Sequence, residues 1–120
     1  MMTVKNENIR PFDVDGCLIV EAKDSRQIAH ILDPVTKRFI KVGVNRAMVR
    51  LLKEEKKRGS YTIVWSRSGY EWANNVIQCL YLDDYVDLIM SKPIVYFDDT
   101  PVKKWLKDRV FIGPDVKYKE

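Results

Sequence analysis

Acidic, hydroxyl and basic side chains lie at the ends of three apolar runs, IRPFDV, YTIVW and PIVYF. They are Asp13, Asp15, Ser66, Lys92, Asp98 and Asp99. If these runs are neighbouring parallel strands, the polar groups converge at the carboxyl edge of one sheet, where such sheets bind ligands. Carboxylates gathered beside one lysine need a cation, and oxygen ligands without histidine or cysteine favour Mg²⁺ over zinc or copper. Mg²⁺ beside a free carboxylate and an ammonium group is a site for a phosphoryl group.

The elements that would position these groups alternate between strands and helices. Strands are predicted at 9–14, 61–65 and 93–97, helices at 45–58 and from 68 or 69 onward, and a short helix and a last strand in VKKWL and RVFIG. Strands separated by helices of this length pair in parallel through right-handed crossovers. We therefore expect one three-layer α/β domain over residues 1–120, with a central, mainly parallel sheet.

One insertion interrupts this alternation after the first acidic motif. Two short runs within residues 27–42 flank Asp33-Pro34-Val35-Thr36, which predicts a β-hairpin because proline presets the turn dihedral and aspartate can bond its own backbone. Only about 27 residues separate Cys17 from the helix at Asn45, which is enough for a hairpin and too few for a lid domain.

The composition indicates a folded globular domain. The chain has 46% hydrophobic and 32% charged residues, a balance that excludes a disordered protein. No apolar run approaches the roughly 20 residues that span a bilayer, and the N-terminal segment has no signal-peptide core. Two cysteines fit a reducing compartment, so we expect a cytoplasmic protein without a membrane segment. The net charge of +4 is compatible with anionic ligands.

Four segments resemble, in order, the motifs of the haloacid dehalogenase (HAD) superfamily. FDVDGCL at 12–18 resembles the first motif, and TIVWS at 62–66 is similar to the second. Lys92, followed by proline, resembles the third motif, and YFDDT at 96–100 the fourth. The resemblance covers about residues 9–100 and implies a Rossmannoid, HAD-like hydrolase domain without a cap.

The resemblance also implies catalytic roles. Asp13 would attack phosphorus and form an aspartyl-phosphate, and Asp15 would serve as general acid and then as general base. Ser66 would hydrogen-bond the phosphoryl oxygens, and Lys92 would neutralise charge on the nucleophile and the phosphate. Gly16 would let the chain turn sharply beneath the incoming phosphate.

A magnesium site and a substrate contact follow from the same resemblance. Asp13, the backbone carbonyl of Asp15 and a carboxylate of the Asp98–Asp99 pair would hold Mg²⁺, with Asp99 as the direct ligand and Asp98 in support. Arg67, next to the second motif, is a candidate for substrate contact.

Hydrolysis of a phosphate monoester is the activity that these residues favour. Asp15 would supply the proton that an alkoxide leaving group needs, as phosphatases require and dehalogenases of this superfamily do not. Uncapped members of the superfamily tend to act on large substrates, such as protein or nucleic-acid ends, or to borrow a lid from a neighbouring subunit. The expected partners are therefore a phosphorylated small molecule or a phosphorylated nucleic-acid or protein end, and a second copy in a homo-oligomer. Two alternatives are an enzyme that removes 3′- or 5′-phosphates from nucleic-acid ends, and a catalytically silent interaction domain.

Other conspicuous residues have structural interpretations. The run KEEKKR at 53–58 mixes charges and is predicted to be the solvated end of a helix. Trp65, Trp72 and Trp105 are predicted to lie in the core or an interface. Cys17 is expected to pack beneath the loop of the first motif.

Overall fold

The computed structural model describes residues 8–106. Its strands are β1 (Ile9–Asp13), β2 (Ile19–Val20), β3 (Ile28–Leu32), β4 (Phe39–Val44), β5 (Tyr61–Ser66) and β6 (Leu88–Ser91), and its α-helices are α1 (Arg46–Lys57) and α2 (Tyr70–Cys79). Single 3₁₀ turns occupy Ala22–Asp24, Asp83–Tyr85 and Val102–Lys104. In this part of the chain, no helix has both the length and the apolar character that a membrane crossing requires.

A three-stranded parallel sheet with the order β1-β5-β6 forms the centre of the fold. Asp13 is paired with Trp65, and Ser66 with Ser91, so the three strands end at the same edge. The predicted parallel pairing of the first two apolar runs is therefore confirmed, although the third strand of this sheet is β6 and not the run at 93–97.

Both α-helices pack on one face of the parallel sheet. Val64 of β5 is fully buried on that face, whereas Ile63 and Trp65 on the other face are only half-buried. The buried cluster on the covered face includes Phe12, Val14, Val64, Met48, Leu52, Trp72, Val76 and Ile77. Successive right-handed crossovers in one direction place their helices on the same side. The predicted third layer is not seen within residues 8–106.

The helix boundaries follow local signals. The Asn45 side chain accepts a hydrogen bond from the Met48 backbone N–H at 3.3 Å and caps α1. Gly59, with φ of 96°, follows the C-terminal residue Arg58 and ends the helix as predicted. The helix predicted from residue 68 or 69 is α2, and Tyr70 donates its backbone N–H to the Ser91 hydroxyl at 3.0 Å.

A second, antiparallel sheet has the order β2-β4-β3. Its strands β3 and β4 occupy the predicted hairpin and extend it to Val44, and β2 adds a third strand. The outer edge of β3 is covered by α2, because Asn75 donates to the Leu32 carbonyl at 2.8 Å and Cys79 to the His30 carbonyl at 3.5 Å. Covering an edge strand in this way blocks its pairing with another chain.

The strand predicted at 93–97 does not form, and the prediction was wrong. Ile94 is 81% exposed and Phe97 is 97% exposed. A parallel neighbour of β6 needs a crossover of roughly a dozen residues, but a single residue, Lys92, separates β6 from this run. The run has the amino-acid composition of a strand, but the connection that precedes it is too short to place it beside β6.

The rest of the C-terminal segment also differs from its prediction. The helix expected through VKKWL is only the 3₁₀ turn Val102–Lys104. Trp105 is half-exposed and packs edge-on against Tyr96, with ring centroids 6.2 Å apart. The strand predicted in RVFIG lies outside the described residues.

Candidate functional site

The carboxyl edge of the parallel sheet brings an acid and a base together from distant parts of the chain. Lys92 directly follows β6, and its backbone N–H donates to the Ser66 carbonyl at 2.8 Å, which fixes it beside the end of β5. Its ammonium nitrogen Nζ lies 3.8 Å from Oδ2 of Asp13 at the end of β1. The two side chains are 34% and 38% exposed, so the pair is accessible to a ligand.

The carboxylate of Asp15 is held from two sides. Its Oδ2 accepts a hydrogen bond from the Ser66 hydroxyl at 3.4 Å, and its Oδ1 accepts one from the indole Nε1–H of Trp72 at 3.2 Å. These donors come from β5 and α2, the two elements that meet at this edge. The orientation of Asp15 is therefore set by the packing of the helix on the sheet.

A tight turn after β1 places Asp13 and Asp15 on the same edge. The backbone N–H groups of Cys17 and Ile19 both donate to the Val14 carbonyl at 3.1 Å. Gly16 has φ of 79° in the left-handed region, and an added β-carbon there would meet nothing within 4 Å. Glycine is thus favoured by the backbone conformation rather than by crowding, in agreement with the sharp turn expected from the sequence.

Ser66 lies on the floor of the site. Its side chain is fully buried, and its hydroxyl accepts the Ser68 backbone N–H at 3.0 Å while it donates to Asp15. Its contacts therefore support Asp15 and the turn after β5, and it does not cap α2. The adjacent Arg67 is exposed at the rim.

Cys17 is a neutral neighbour of the nucleophile candidate. Its side chain is 8% exposed, beneath the turn as expected. Burial, and then the negative charge of Asp13, raise the pKa of the thiol to about 11. The protonated thiol is therefore the form present at neutral pH.

The Asp98–Asp99 pair is not assembled with the other acids. Asp98 accepts the Thr100 backbone N–H at 3.3 Å, and Asp99 accepts the Thr100 hydroxyl at 3.0 Å; both acids are exposed. Hydrogen bonding with Asp98, and then with Thr100, lowers the pKa of Asp99 below its ordinary value. Among residues 8–106, no three histidine, cysteine or acidic side chains form a group that could hold a metal ion.

The donors present at the edge nevertheless have the chemistry that Mg²⁺ prefers. They are oxygen atoms of Asp13 and Asp15, and the Asp13 carboxylate is partly accessible. Mg²⁺ keeps several of its waters and binds proteins through one or two carboxylates together with substrate phosphates. Two acids on one turn therefore fit part of such a site, and Asp99 or Asp98 would have to approach to complete the set expected from the resemblance.

Sequence reasoning missed the polar role of Trp72. The residue is 8% exposed, as predicted for the core, but its indole N–H reaches Asp15. A buried tryptophan usually satisfies its N–H with an acceptor. Its position in the first turn of α2, three residues after Gly69, was the available signal because that turn starts at the carboxyl edge.

Comparison of the chain with protein-family models, with curated proteins and with solved structures gives no match. The resemblance to the HAD motifs therefore rests on the residues of the sequence alone.

Proposed function

We propose that this chain is a Mg²⁺-dependent phosphomonoester hydrolase of the HAD type, with Asp13 as its nucleophile. The contact between Lys92 Nζ and Asp13 Oδ2 at 3.8 Å supports it most directly. It joins the first and third motif candidates, which lie at opposite ends of the described chain. An ammonium group in this position stabilises negative charge where a phosphoryl group would meet the carboxylate.

In the first step, a carboxylate oxygen of Asp13 attacks phosphorus and the bond from phosphorus to the ester oxygen breaks. Asp15, in its protonated form, gives its proton to the departing alkoxide and becomes a carboxylate. The hydrogen bonds from Ser66 and Trp72 orient Asp15 for this transfer. Lys92, whose Nζ lies 3.8 Å from Asp13 Oδ2, would neutralise negative charge on the phosphoryl group in both steps.

In the second step, Asp15 takes a proton from a water molecule whose oxygen attacks phosphorus. The bond between Asp13 and phosphorus breaks, so that Asp13 returns as a carboxylate and inorganic phosphate leaves. Asp15 ends the cycle protonated, ready to serve the next leaving group. The same residue thus acts first as acid and then as base.

The residues that would hold Mg²⁺ are Asp13, through its carboxylate, Asp15, through its backbone carbonyl, and Asp99, through its carboxylate, with Asp98 in support. The bound ion would neutralise part of the phosphoryl charge. The chain length permits this arrangement. Six residues lead from Lys92 to Asp98 and can span at most roughly 20 Å. Because Lys92 already contacts Asp13, this segment is long enough to bring either acid back to the edge.

The test is the hydrolysis of an aryl phosphate with and without Mg²⁺ by the wild type, Asp13→Asn and Asp24→Asn. Asp24 is an exposed acid in a 3₁₀ turn, so its substitution controls for the loss of one charge. We expect Mg²⁺-dependent turnover that falls by roughly 10³-fold or more in Asp13→Asn and is unchanged in Asp24→Asn.

Equal turnover by the wild type and Asp13→Asn would refute the nucleophile. Absence of turnover together with absence of Mg²⁺ binding would favour the silent interaction domain instead. Circular dichroism and thermal unfolding of each variant separate the loss of chemistry from the loss of fold.

A further inference from the structure

Four cationic residues form a stripe along α1, at positions 46, 50, 53 and 57. At 3.6 residues per turn, these positions fall within an arc of about 60° around the helix. We call Arg46, Arg50, Lys53 and Lys57 the α1 stripe; three of them are exposed and Lys53 is half-buried. The buried residues of α1, including Met48 and Leu52, lie on the other side.

The structure separates the mixed charges of the KEEKKR run. Glu55 is turned inward, where it accepts the Ser60 hydroxyl at 3.1 Å and pairs with Arg10 at 3.4 Å. Lys56 points to Asp87, with 2.6 Å between Nζ and Oδ1. One acid of α1, Glu54, remains exposed beside the stripe. The run forms the largely solvated end of α1, as predicted, and most of its positive charges lie on one side.

Three of the four cations of the α1 stripe are not neutralised by acids in the described part of the chain. Within residues 8–106, Arg46, Lys53 and Lys57 form no ion pair. Lys53 is positioned by the Tyr85 ring, whose centroid lies 5.3 Å from its ammonium nitrogen. Cations held near an open surface without acidic partners attract an external anion.

A cleft runs beside the same cations. Its volume is about 270 Å³, and Arg46 and Lys53 line it together with Gln27, Val44 and Leu80. The cleft lies between α1, the end of the β3–β4 hairpin where Gln27 and Val44 meet, and Leu80 just after α2. The cleft gives the stripe a concave wall that includes the Gln27 amide group. Such a wall suits an extended ligand better than a flat charged surface would.

The stripe begins at the edge that carries Asp13. Asn45, which precedes Arg46, donates its backbone N–H to the Leu18 carbonyl at 2.9 Å, in the turn that follows β1. The helix ends just before Tyr61, at the opposite edge of the sheet. From Arg46 to Lys57 the rise is about 16 Å, so the cations lead away from the candidate site along the side of the domain.

We propose that the α1 stripe binds the phosphodiester backbone of a nucleic-acid strand whose terminal phosphate enters the site at Asp13. This inference rests on the proposed function, because the terminal phosphate would be hydrolysed at the phosphatase site. A line of cations matches a ligand that repeats its negative charge along a line, whereas a small phosphate ester carries its charge at one point. At 3.4 Å of axis per nucleotide of a strand, the stripe would span about five nucleotides.

The direct test is binding of a fluorescently labelled, end-phosphorylated single-stranded oligonucleotide longer than the stripe, measured by anisotropy over a range of salt. The test variant is Arg46→Glu/Lys53→Glu. The matched control is Lys103→Glu/Lys104→Glu, in the exposed 3₁₀ turn near the C-terminal end of the described chain. Each reversal removes two units of charge, so both double variants have a formal net charge of zero in place of +4.

We expect the stripe variant to bind the oligonucleotide about tenfold more weakly or worse, and the control to bind nearly as the wild type does. The slope of log K against log salt should fall by about 1.4 in the stripe variant, because each lost phosphate contact on a single strand contributes about 0.7. Equal weakening in both variants would show that only net charge matters and would overturn the proposal, as would the absence of binding by the wild type.

Binding is measured without Mg²⁺ for the wild type and both double variants, so that the outcome does not depend on catalysis. Turnover of an aryl phosphate without stripe-dependent binding would overturn the stripe and leave the phosphatase intact. Stripe-dependent binding without turnover would support the stripe and count against the phosphatase. With both present, kcat/KM for end-phosphorylated strands should rise with length until the stripe is covered, and this rise should disappear in the stripe variant.

Discussion

Replacing Lys92 with methionine separates a catalytic role from a structural one. The substitution keeps an unbranched side chain of similar length and removes the charge that lies 3.8 Å from Asp13. Two unit charges at this distance attract by about 4 kcal/mol at an effective dielectric constant of 20 and by about 1 kcal/mol in water. Both side chains are about one-third exposed, and pairs of this kind contribute a net 0–1 kcal/mol, roughly, to stability.

We expect the charge of Lys92 to contribute more stabilisation when a phosphoryl group occupies the site. The ligand displaces water, and Lys92 then faces the charge of the phosphate and of the Asp13 carboxylate together. Removing one preorganised group of this kind typically lowers kcat by roughly 10²- to 10³-fold, or about 3–4 kcal/mol. We therefore expect Lys92→Met to unfold within about 1 kcal/mol of the wild type while losing most of its turnover.

The assay pairs denaturant unfolding with aryl phosphate kinetics, and Lys104→Met, in the exposed 3₁₀ turn, is the control for charge and composition. Raising the Mg²⁺ concentration should not restore the rate of Lys92→Met, because the missing ammonium group acts on the phosphoryl group. Turnover within a few-fold of the wild type would refute the assignment of Lys92. A stability loss of several kcal/mol would instead show that the ion pair supports the fold.

Two further predictions concern the frame that carries the site. Gly43→Ala would place a β-carbon 2.7 Å from Cβ of Ser25. We therefore expect the free energy of unfolding to fall by about 1–3 kcal/mol and the melting temperature to fall by several degrees. An unchanged melting temperature would show that the loop around Ser25 moves aside without destabilising the fold. Burial alone would raise the pKa of Asp87, but hydrogen bonds from Lys56 and Thr62 hold that pKa below its ordinary value. The contribution of Asp87 to the stability of the fold is therefore present above pH ~4 and is lost as the pH falls through the folded-state pKa. Asp87→Asn should cost about 1–2 kcal/mol at neutral pH, and unfolding measured from pH 7 to pH 3 should show the difference from the wild type shrinking in acid; a difference independent of pH would contradict this account.

The sequence predicts best where local chemistry decides the structure. The β-branched and aromatic run at 61–65 forms β5, and Asn45 and Gly59 mark the two ends of α1 by hydrogen bonding and by backbone conformation. The sequence also predicts that Asp13 and Lys92 converge, and they do, but Lys92 follows β6 and does not precede a strand at 93–97 as expected. Each of these conclusions needs only the residues within a few positions and the rule that parallel strands share an edge.

The failures arise where distant contacts decide. The run at 93–97 has the composition of a strand, but its position one residue after Lys92 leaves no crossover that could bring it alongside the sheet. The donation from Trp72 to Asp15 depends on how α2 packs, and the segregation of charge along α1 depends on where Arg10 and Ser60 lie. Trp72 and Asp15 are far apart in sequence, as are Arg10 and Glu55, so these contacts depend on how the elements pack.

The candidate site divides into a fixed part and a part that must be brought to it. Asp15 and Lys92 are positioned by β5, β6 and α2 before any ligand arrives, which is the condition under which charges stabilise a transition state most effectively. Asp98 and Asp99 lie on an exposed segment whose hydrogen bonds are made to Thr100. In the proposed enzyme, the free energy of binding Mg²⁺ and substrate would offset the cost of ordering that segment at Asp13. Metal affinity would then depend on the phosphate being present, whereas the action of Lys92 on the phosphoryl group would not depend on the segment.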